Sequence, residues 1–231
     1  MPTAIPGSPQ APFSCAFVRP VRFGVLAGVH LSPEARSVEE EVLARLHPDE
    51  AAQARSLKVR RQIEWTGGRL AYRIARGDGS PSWEPLLSGA GGEPIGPSDQ
   101  AVSLSHKSDL ALALVGRRTE GTLGVDLETL GRERLAIASH VLGPEEQEQF
   151  KALPGGEQWR HLVSVFSLKE ATYKAIYPHV RRYVAFTEAR VELGSAPQIE
   201  LFLREPSVPL RLEADLEFLG DRLIACVRCM A

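Results

Sequence analysis

Apolar and polar positions recur along this chain with two different periods, and the period changes from block to block. Val21–His30 carries the pattern of a strand. Val38–Leu46 places its apolar residues at helical spacing until His47-Pro48 stops it, because proline removes a helix hydrogen bond and clashes with the preceding turn. A longer helical pattern runs from Pro48 to about Ala75 and carries a dense set of arginines, among them Arg55, Arg60, Arg61, Arg69, Arg73 and Arg76. Gly77–Gln100 is so rich in glycine and proline that it reads as a loop over the surface. Ala101–Ser105 and Leu110–Val115 then form an antiparallel pair turning near Lys107-Ser108, with Leu123–Glu128 as a further strand.

The most polar break, Gly116–Gly121, sets a boundary near residue 120 and divides the chain into 1–120 and 121–231. In the second half a helix starts at Gly143-Pro144, with Glu145 and Glu146 at its positive end, and another spans Gln158–Ile176. Strands follow at Phe186–Leu193, Gln198–Leu203, Leu210–Phe218 and Arg222–Cys229. Helices and strands come in blocks rather than in βαβ alternation, so the expected class is α+β with antiparallel sheets.

Composition narrows the reading. The 231 residues are 43% apolar and 24% charged, enough for a packed core, and 27 basic against 29 acidic residues leave a net charge of −2. That balance excludes a general nucleic-acid binder, which needs a basic surplus. No apolar run reaches the roughly 20 residues of a membrane span, so no membrane association is expected. Met1–Pro12 lacks the features of a secretory signal and reads as a lead-in; three cysteines are too few and odd in number for a secreted disulfide framework, which points to a reducing cytoplasm. Cys226-Val227-Arg228-Cys229 resembles a redox or zinc pair, but a strand sends residues three apart to opposite faces, which favours a structural role.

Candidate chemistry gathers in two places. In Gly124-Val125-Asp126-Leu127-Glu128 the period of two puts both carboxylates on one strand face, where they repel unless a positive charge lies between them. A hard divalent cation such as Mg²⁺ suits oxygen ligands; a wet face that merely carries two acids is the plain alternative. On the later helix, Trp159, Leu162, Val163 and Phe166 form an apolar stripe whose next position is Glu170, with Lys174 one turn beyond. A carboxylate on a packed face needs a metal, a cation or a raised pKa. Glu170 with Lys174 also fits an ordinary helical ion pair; joined by Asp126, Glu128 and Lys169 it would form a Mg²⁺ site beside a cationic clamp suited to phosphoryl chemistry.

Gly124-Val125-Asp126-Leu127-Glu128, the later Phe166-Ser167-Leu168-Lys169-Glu170-Ala171-Thr172-Tyr173-Lys174 and the earlier Ser103-Leu104-Ser105-His106 together resemble the 4′-phosphopantetheinyl transferases. The likeness is to the long, monomeric type that serves siderophore, polyketide and nonribosomal peptide pathways. Arg60 to Ala71, with Glu64, Gly68 and Arg69, is similar to a segment of the enterobactin-type members, and the resemblance runs from about residue 45 to the C-terminus.

The resemblance implies two similar, pseudo-two-fold-related halves with coenzyme A between them, the first contributing a basic coenzyme A-binding segment and the second the Mg²⁺-binding motifs. It implies that Asp126, Glu128 and Glu170 hold Mg²⁺, that Lys169 and Lys174 offset phosphate charge, and that Arg61, Arg69, Ser105 and His106 bind the adenosine 3′-phosphate end. Asp126, Glu170 and Lys174 would be catalytic, with either Glu170 or a metal-bound water as the base. The implied reaction is attack by a serine of an apo carrier protein on the β-phosphate of coenzyme A, releasing adenosine 3′,5′-bisphosphate. The partner would be an acidic helical carrier domain of polyketide, nonribosomal peptide or fatty-acid synthesis. One departure stands in the loop before the first strand of that pair: Gly92-Glu93-Pro94 has no lysine where family members carry one. The rivals are a non-catalytic module that binds coenzyme A or a carrier, and a Mg²⁺-dependent phosphohydrolase using the same acids.

Overall fold

A computed structural model describes residues 13–77, 84–204 and 209–231. The expected lead-in Met1–Pro12 and the middle of the glycine- and proline-rich segment lie outside the described residues. The chain divides into two compact units, one ending at Thr119 and one beginning at Glu120. Among the described residues no helix is long and apolar enough to cross a membrane.

In the first unit, β1 (Phe13–Val21) and β2 (Gly24–Leu31) form a hairpin, followed by α1 (Glu40–Leu43), α2 (Pro48–Arg55) and α3 (Val59–Arg76). A two-stranded ribbon, β3 (Leu87–Ser88) with β4 (Pro94–Ile95), precedes β5 (Gln100–Lys107) and β6 (Leu110–Arg117). The sheet order is β1-β2-β6-β5, antiparallel throughout. β1 escapes the pattern reading because Pro20 interrupts it, and it is an edge strand, where a proline costs no inner ladder bond. The expected single helix from Pro48 is two helices: Ser56 caps the first and Lys58, extended at ψ 148°, begins the second. α3 lays Ile63, Gly67 and Ala71 on the sheet, and a Cβ on Gly67 would lie 2.3 Å from Leu31 Cδ2.

The second unit runs β7 (Thr122–Thr129), α4 (Ala138–Val141), α5 (Pro144–Ala152), α6 (Gly155–Val180), β8 (Ala189–Glu192), β9 (Gln198–Leu201), β10 (Arg211–Leu219) and β11 (Arg222–Met230). Its main sheet is β10-β11-β7, and β8 with β9 makes a small second sheet. Where the pattern predicts a strand from Phe186, residues Phe186–Glu188 form a tight 3₁₀ turn that Glu188 caps. Both units are α+β with small antiparallel sheets. Each repeats one topology: a strand, a long helix, then a hairpin whose second strand pairs with the strand before the helix. Cys226 and Cys229 are buried and in no disulfide, and burial pushes the Cys229 thiol up to about 11, as befits inert core residues.

α6 packs on β7 at very short range. A Cβ on Gly124 would lie 1.8 Å from the carbonyl oxygen of Ala171 and 2.9 Å from the backbone nitrogen of Ala175, so only glycine fits. Gly124→Ala is expected to destabilise the fold by about 3 kcal/mol, the upper end of overpacking costs, measured by urea unfolding. Gly155→Ala, whose Cβ meets nothing within 4 Å, is expected to be neutral or slightly stabilising in the same assay.

Candidate functional site

The approach of β7 to α6 places the strand's acids. Asp126 and Glu128 are 6% and 8% exposed and share the strand face of Gly124, opposite Val125 and Leu127. Asp126 is held from α6 at both oxygens: Ser167 Oγ donates to Oδ2 at 2.9 Å and Lys174 Nζ to Oδ1 at 2.8 Å. Lys174 also donates to the carbonyl of Val125 at 2.9 Å. Ser167 and Lys174 are about two turns apart on one helix face, and the lysine reaches back because helix side chains lean toward the N-terminus. Glu170 is half-buried between them along the helix. Ser167 is a site residue that the motif contains and the sequence reading leaves without a role; its signal is its place one and two turns before Glu170 and Lys174 on the same face.

Lys169 departs from expectation. It stands about 200° around α6 from Ser167 and is buried in an ion pair, its Nζ 2.5 Å from Glu146 Oε2 and 2.8 Å from the carbonyl of Val141. Burial holds its pKa below the usual lysine range, partly offset by Glu146. The two lysines expected to act as one clamp therefore serve different places: Lys174 binds Asp126, and Lys169 ties α6 to α5. Glu146 does more than pair with it, since it accepts Gly143 N at 2.7 Å and Val191 N at 2.8 Å.

On the Lys169 side of α6 lies a pocket of roughly 100 Å³. Lys169, Glu170 and Tyr173 line it from the helix, and Tyr183, Val184 and Phe186 wall it from the segment that follows. Glu170 thus borders both the pocket and the face that meets Asp126. Glu188 holds the wall: 5% exposed, it accepts Arg182 Nη2 at 2.8 Å and Nη1, Ala185 N and Arg204 N at 3.1 Å each.

The first unit gathers its own charged group. His106 Nε2 lies 3.0 Å from Glu64 Oε2 and 3.3 Å from Arg61 Nη1, and Arg60 Nε donates to Glu64 Oε1 at 2.9 Å. Glu64, half-buried, is the counter-ion at the centre of this cluster, a role the sequence reading does not give it. Two expected members are elsewhere. Arg69 is buried, its guanidinium stacked 3.6 Å over the Trp65 ring, with Nε donating to the carbonyl of Leu86 at 3.0 Å and Nη2 to Ser88 Oγ at 3.1 Å. Burial lowers its pKa to about 9. Ser105 is buried on the sheet face opposite His106, as adjacent strand residues must be. The structure brings together Arg61 and His106; it does not place Arg69 or Ser105 with them.

Asp126, Glu128 and Glu170, the acids that the resemblance implies as Mg²⁺ ligands, offer only oxygen donors, and with the Ser167 hydroxyl beside Asp126 that donor chemistry suits a hard divalent cation. Among the described residues, no three His, Cys, Asp or Glu side chains are gathered as a metal cage, and the positive charge on Asp126 is supplied by Lys174.

The model of the 4′-phosphopantetheinyl transferase N-terminal domain matches residues 49–116, and that of the 4′-phosphopantetheinyl transferase superfamily matches residues 122–227. The chain is 30% identical to the 4′-phosphopantetheinyl transferase PptT of Mycobacterium tuberculosis over 62% of its length and 63% of that relative's. It is 30% identical to Svp of Streptomyces mobaraensis over 74% of this chain and 69% of that one, and 32% identical to Npt of Nocardia iowensis over 74% and 77%. A solved holo-(acyl-carrier-protein) synthase from Bacillus anthracis in complex with CoA is 20% identical, covering 46% of this chain and 93% of that one with a TM-score of 0.39. The chain belongs to the 4′-phosphopantetheinyl transferase superfamily, long type.

The hydrogen bonds from Arg182, ahead of those from backbone amides, hold the Glu188 carboxyl down to about 2 against an ordinary 4.5. A folded-state pKa below the unfolded one stabilises the protein above the unfolded value, and the stabilisation is lost as pH falls through the folded value. The gap in urea midpoint between the parent and Glu188→Gln is therefore expected to be constant from pH 7 to about 5 and to close between about 4.5 and 2.

Proposed function

We propose that this chain transfers the 4′-phosphopantetheine group of coenzyme A to a serine of apo carrier protein domains, as a Mg²⁺-dependent transferase that releases adenosine 3′,5′-bisphosphate. The carriers are those of polyketide and nonribosomal peptide synthesis, and fatty-acid synthesis is the further class to test. Membership of the superfamily supports the reaction class. The observation that carries the site is Asp126 bound by both Ser167 and Lys174, which joins the strand's acids to the helix that bears Glu170.

Each residue then has a part. Asp126, Glu128 and Glu170 would hold Mg²⁺, which when bound neutralises charge on the pyrophosphate. Lys174 places an ammonium beside Asp126, where charge develops on the leaving phosphate, and Ser167 fixes the carboxylate that anchors both. Glu170 receives the proton of the attacking serine hydroxyl. The pocket beside Glu170, lined by Tyr173, Val184 and Phe186, suits a slender arm with little charge, and we read it as the seat of the pantetheine arm. Arg61 and His106 bind the 3′-phosphate in exchange for Glu64, while Arg69 is a positioning residue that holds the Leu86–Ser88 segment.

Intact mass of an apo carrier protein incubated with the chain, coenzyme A and Mg²⁺ tests the reading. The expected result is a gain of about 340 Da, absent with EDTA and with Asp126→Ala. Lys174→Met is expected to lower kcat about 100-fold, in the range for loss of one group that stabilises developing charge. Full rate in Glu170→Gln would remove it as the base, and absence of mass gain on every carrier class would remove the transferase reading.

A further inference from the structure

Five residues of the pocket wall, Tyr183, Val184, Ala185, Phe186 and Leu201, lie on two stretches of chain that Glu188 ties together. The first begins where α6 ends. Arg181 takes a positive φ of 49° and turns the chain back along the helix, and the next residue, Arg182, donates both guanidinium nitrogens to Glu188. Ala185 N, in the middle of the stretch, donates to the same carboxylate. The second stretch is the end of β9: Phe202 N donates to the Glu188 carbonyl at 2.7 Å and Arg204 N to its carboxylate. One buried side chain thus fixes the start and middle of one wall and the end of the other. Among the aromatic groups, Phe186 leans on Phe166 at 5.5 Å between ring centroids and Tyr183 on Tyr173 at 6.3 Å, yet Tyr183 is 74% exposed. Ring contacts alone leave that rim open, and the carboxylate supplies the missing constraint.

We infer that Glu188 and Arg182 are positioning residues that set the shape of the pocket and, through it, the affinity for the arm of coenzyme A. They touch no reacting atom. The inference rests on the reading of the pocket as the seat of that arm. A carboxylate with a bidentate arginine and two amide donors has one low-energy arrangement, so the wall is held before the ligand arrives and little ordering cost remains at binding. When Glu188 becomes an amide, Arg182 and the two backbone donors lose a charged acceptor together; the main-chain bond from Phe202 N remains, while the Arg182–Ala185 stretch and Arg204 lose their common tie.

Calorimetric binding of two probes to the full chain tests this: coenzyme A, which carries the arm, and adenosine 3′,5′-bisphosphate, which lacks it. Glu188→Gln and Arg182→Met are each expected to weaken coenzyme A at least about tenfold, the scale of a misplaced binding wall, and to leave the bisphosphate within about twofold. Arg182→Lys, which keeps the charge but not the fork, is expected to fall between. In turnover the loss of kcat/KM is expected in KM. Unchanged coenzyme A affinity in both variants overturns the inference, and so does an equal loss for both probes, which marks a general structural role. If the parent binds the two probes equally, the reading of the pocket itself fails and the inference with it; that result is distinct because it needs no variant.

Discussion

The contact of β7 with α6 at Gly124 is the constraint on which the candidate site depends. Strands and helices ordinarily keep a side chain's distance between their backbones; here the space a Cβ would need is taken by the carbonyl of Ala171. With the strand this close, Asp126, two residues on and on the same face, comes within hydrogen-bond reach of Ser167. The same closeness lets Lys174 fold back to both Asp126 and the Val125 carbonyl. A larger residue at 124 would push the strand outward and separate the acids from the helix before any change in the acids themselves. The glycine therefore belongs to the candidate site as much as the carboxylates do.

A second device recurs three times. Glu50, Glu146 and Glu188 are all buried, and each accepts the backbone N–H three residues before it, at His47, Gly143 and Ala185. Each also accepts a distant N–H, from Leu86, Val191 and Arg204, and each holds a cation, Arg73, Lys169 and Arg182. In the first two cases the agreement extends to spacing: a Pro two residues before the glutamate opens the helix, and the cation lies 23 residues after it on the long helix. The two units thus share a packing rule as well as a topology. They part at the next position, where Arg73 is followed by Ile74 and Lys169 by Glu170. The same scaffold carries an apolar residue in one unit and the candidate base in the other.

The sequence made the fold class, most of the strands from Ala101 onward and the long helix of the second half legible, because their periods are unbroken; the break at Ser56 and the turn at Phe186–Glu188 were not. It made the acids on β7 legible too, since a period of two leaves no other arrangement. What it could not show is direction. Arg69 and Lys169 have the residue type and spacing of phosphate ligands, but helix geometry turns each toward a buried partner: the Trp65 ring and the Leu86 carbonyl for one, Glu146 for the other. Ser105 adjoins His106 in sequence and is therefore on the opposite sheet face. Glu64 and Ser167 were hidden for the converse reason, as polar residues within motifs whose partners lie 42 and 41 positions away.

The recurrent glutamates also bear on why charge is kept in these interiors at all. Desolvating an ion pair costs several kcal/mol, and apolar residues of equal volume often serve stability as well or better. That substitution is not open here. Each carboxylate is the acceptor for backbone N–H groups from two separate stretches of chain, and an apolar replacement would leave both donors without that partner. No neutral side chain of similar length offers two equivalent acceptor oxygens, since glutamine has one. The cation then follows from the acid: Lys169 and Arg182 neutralise a charge whose first task is to tie backbone segments together. On this view the ion pairs are consequences of how the walls around α6 are joined, and a motif lysine such as Lys169 can be read correctly only after its acid has been found.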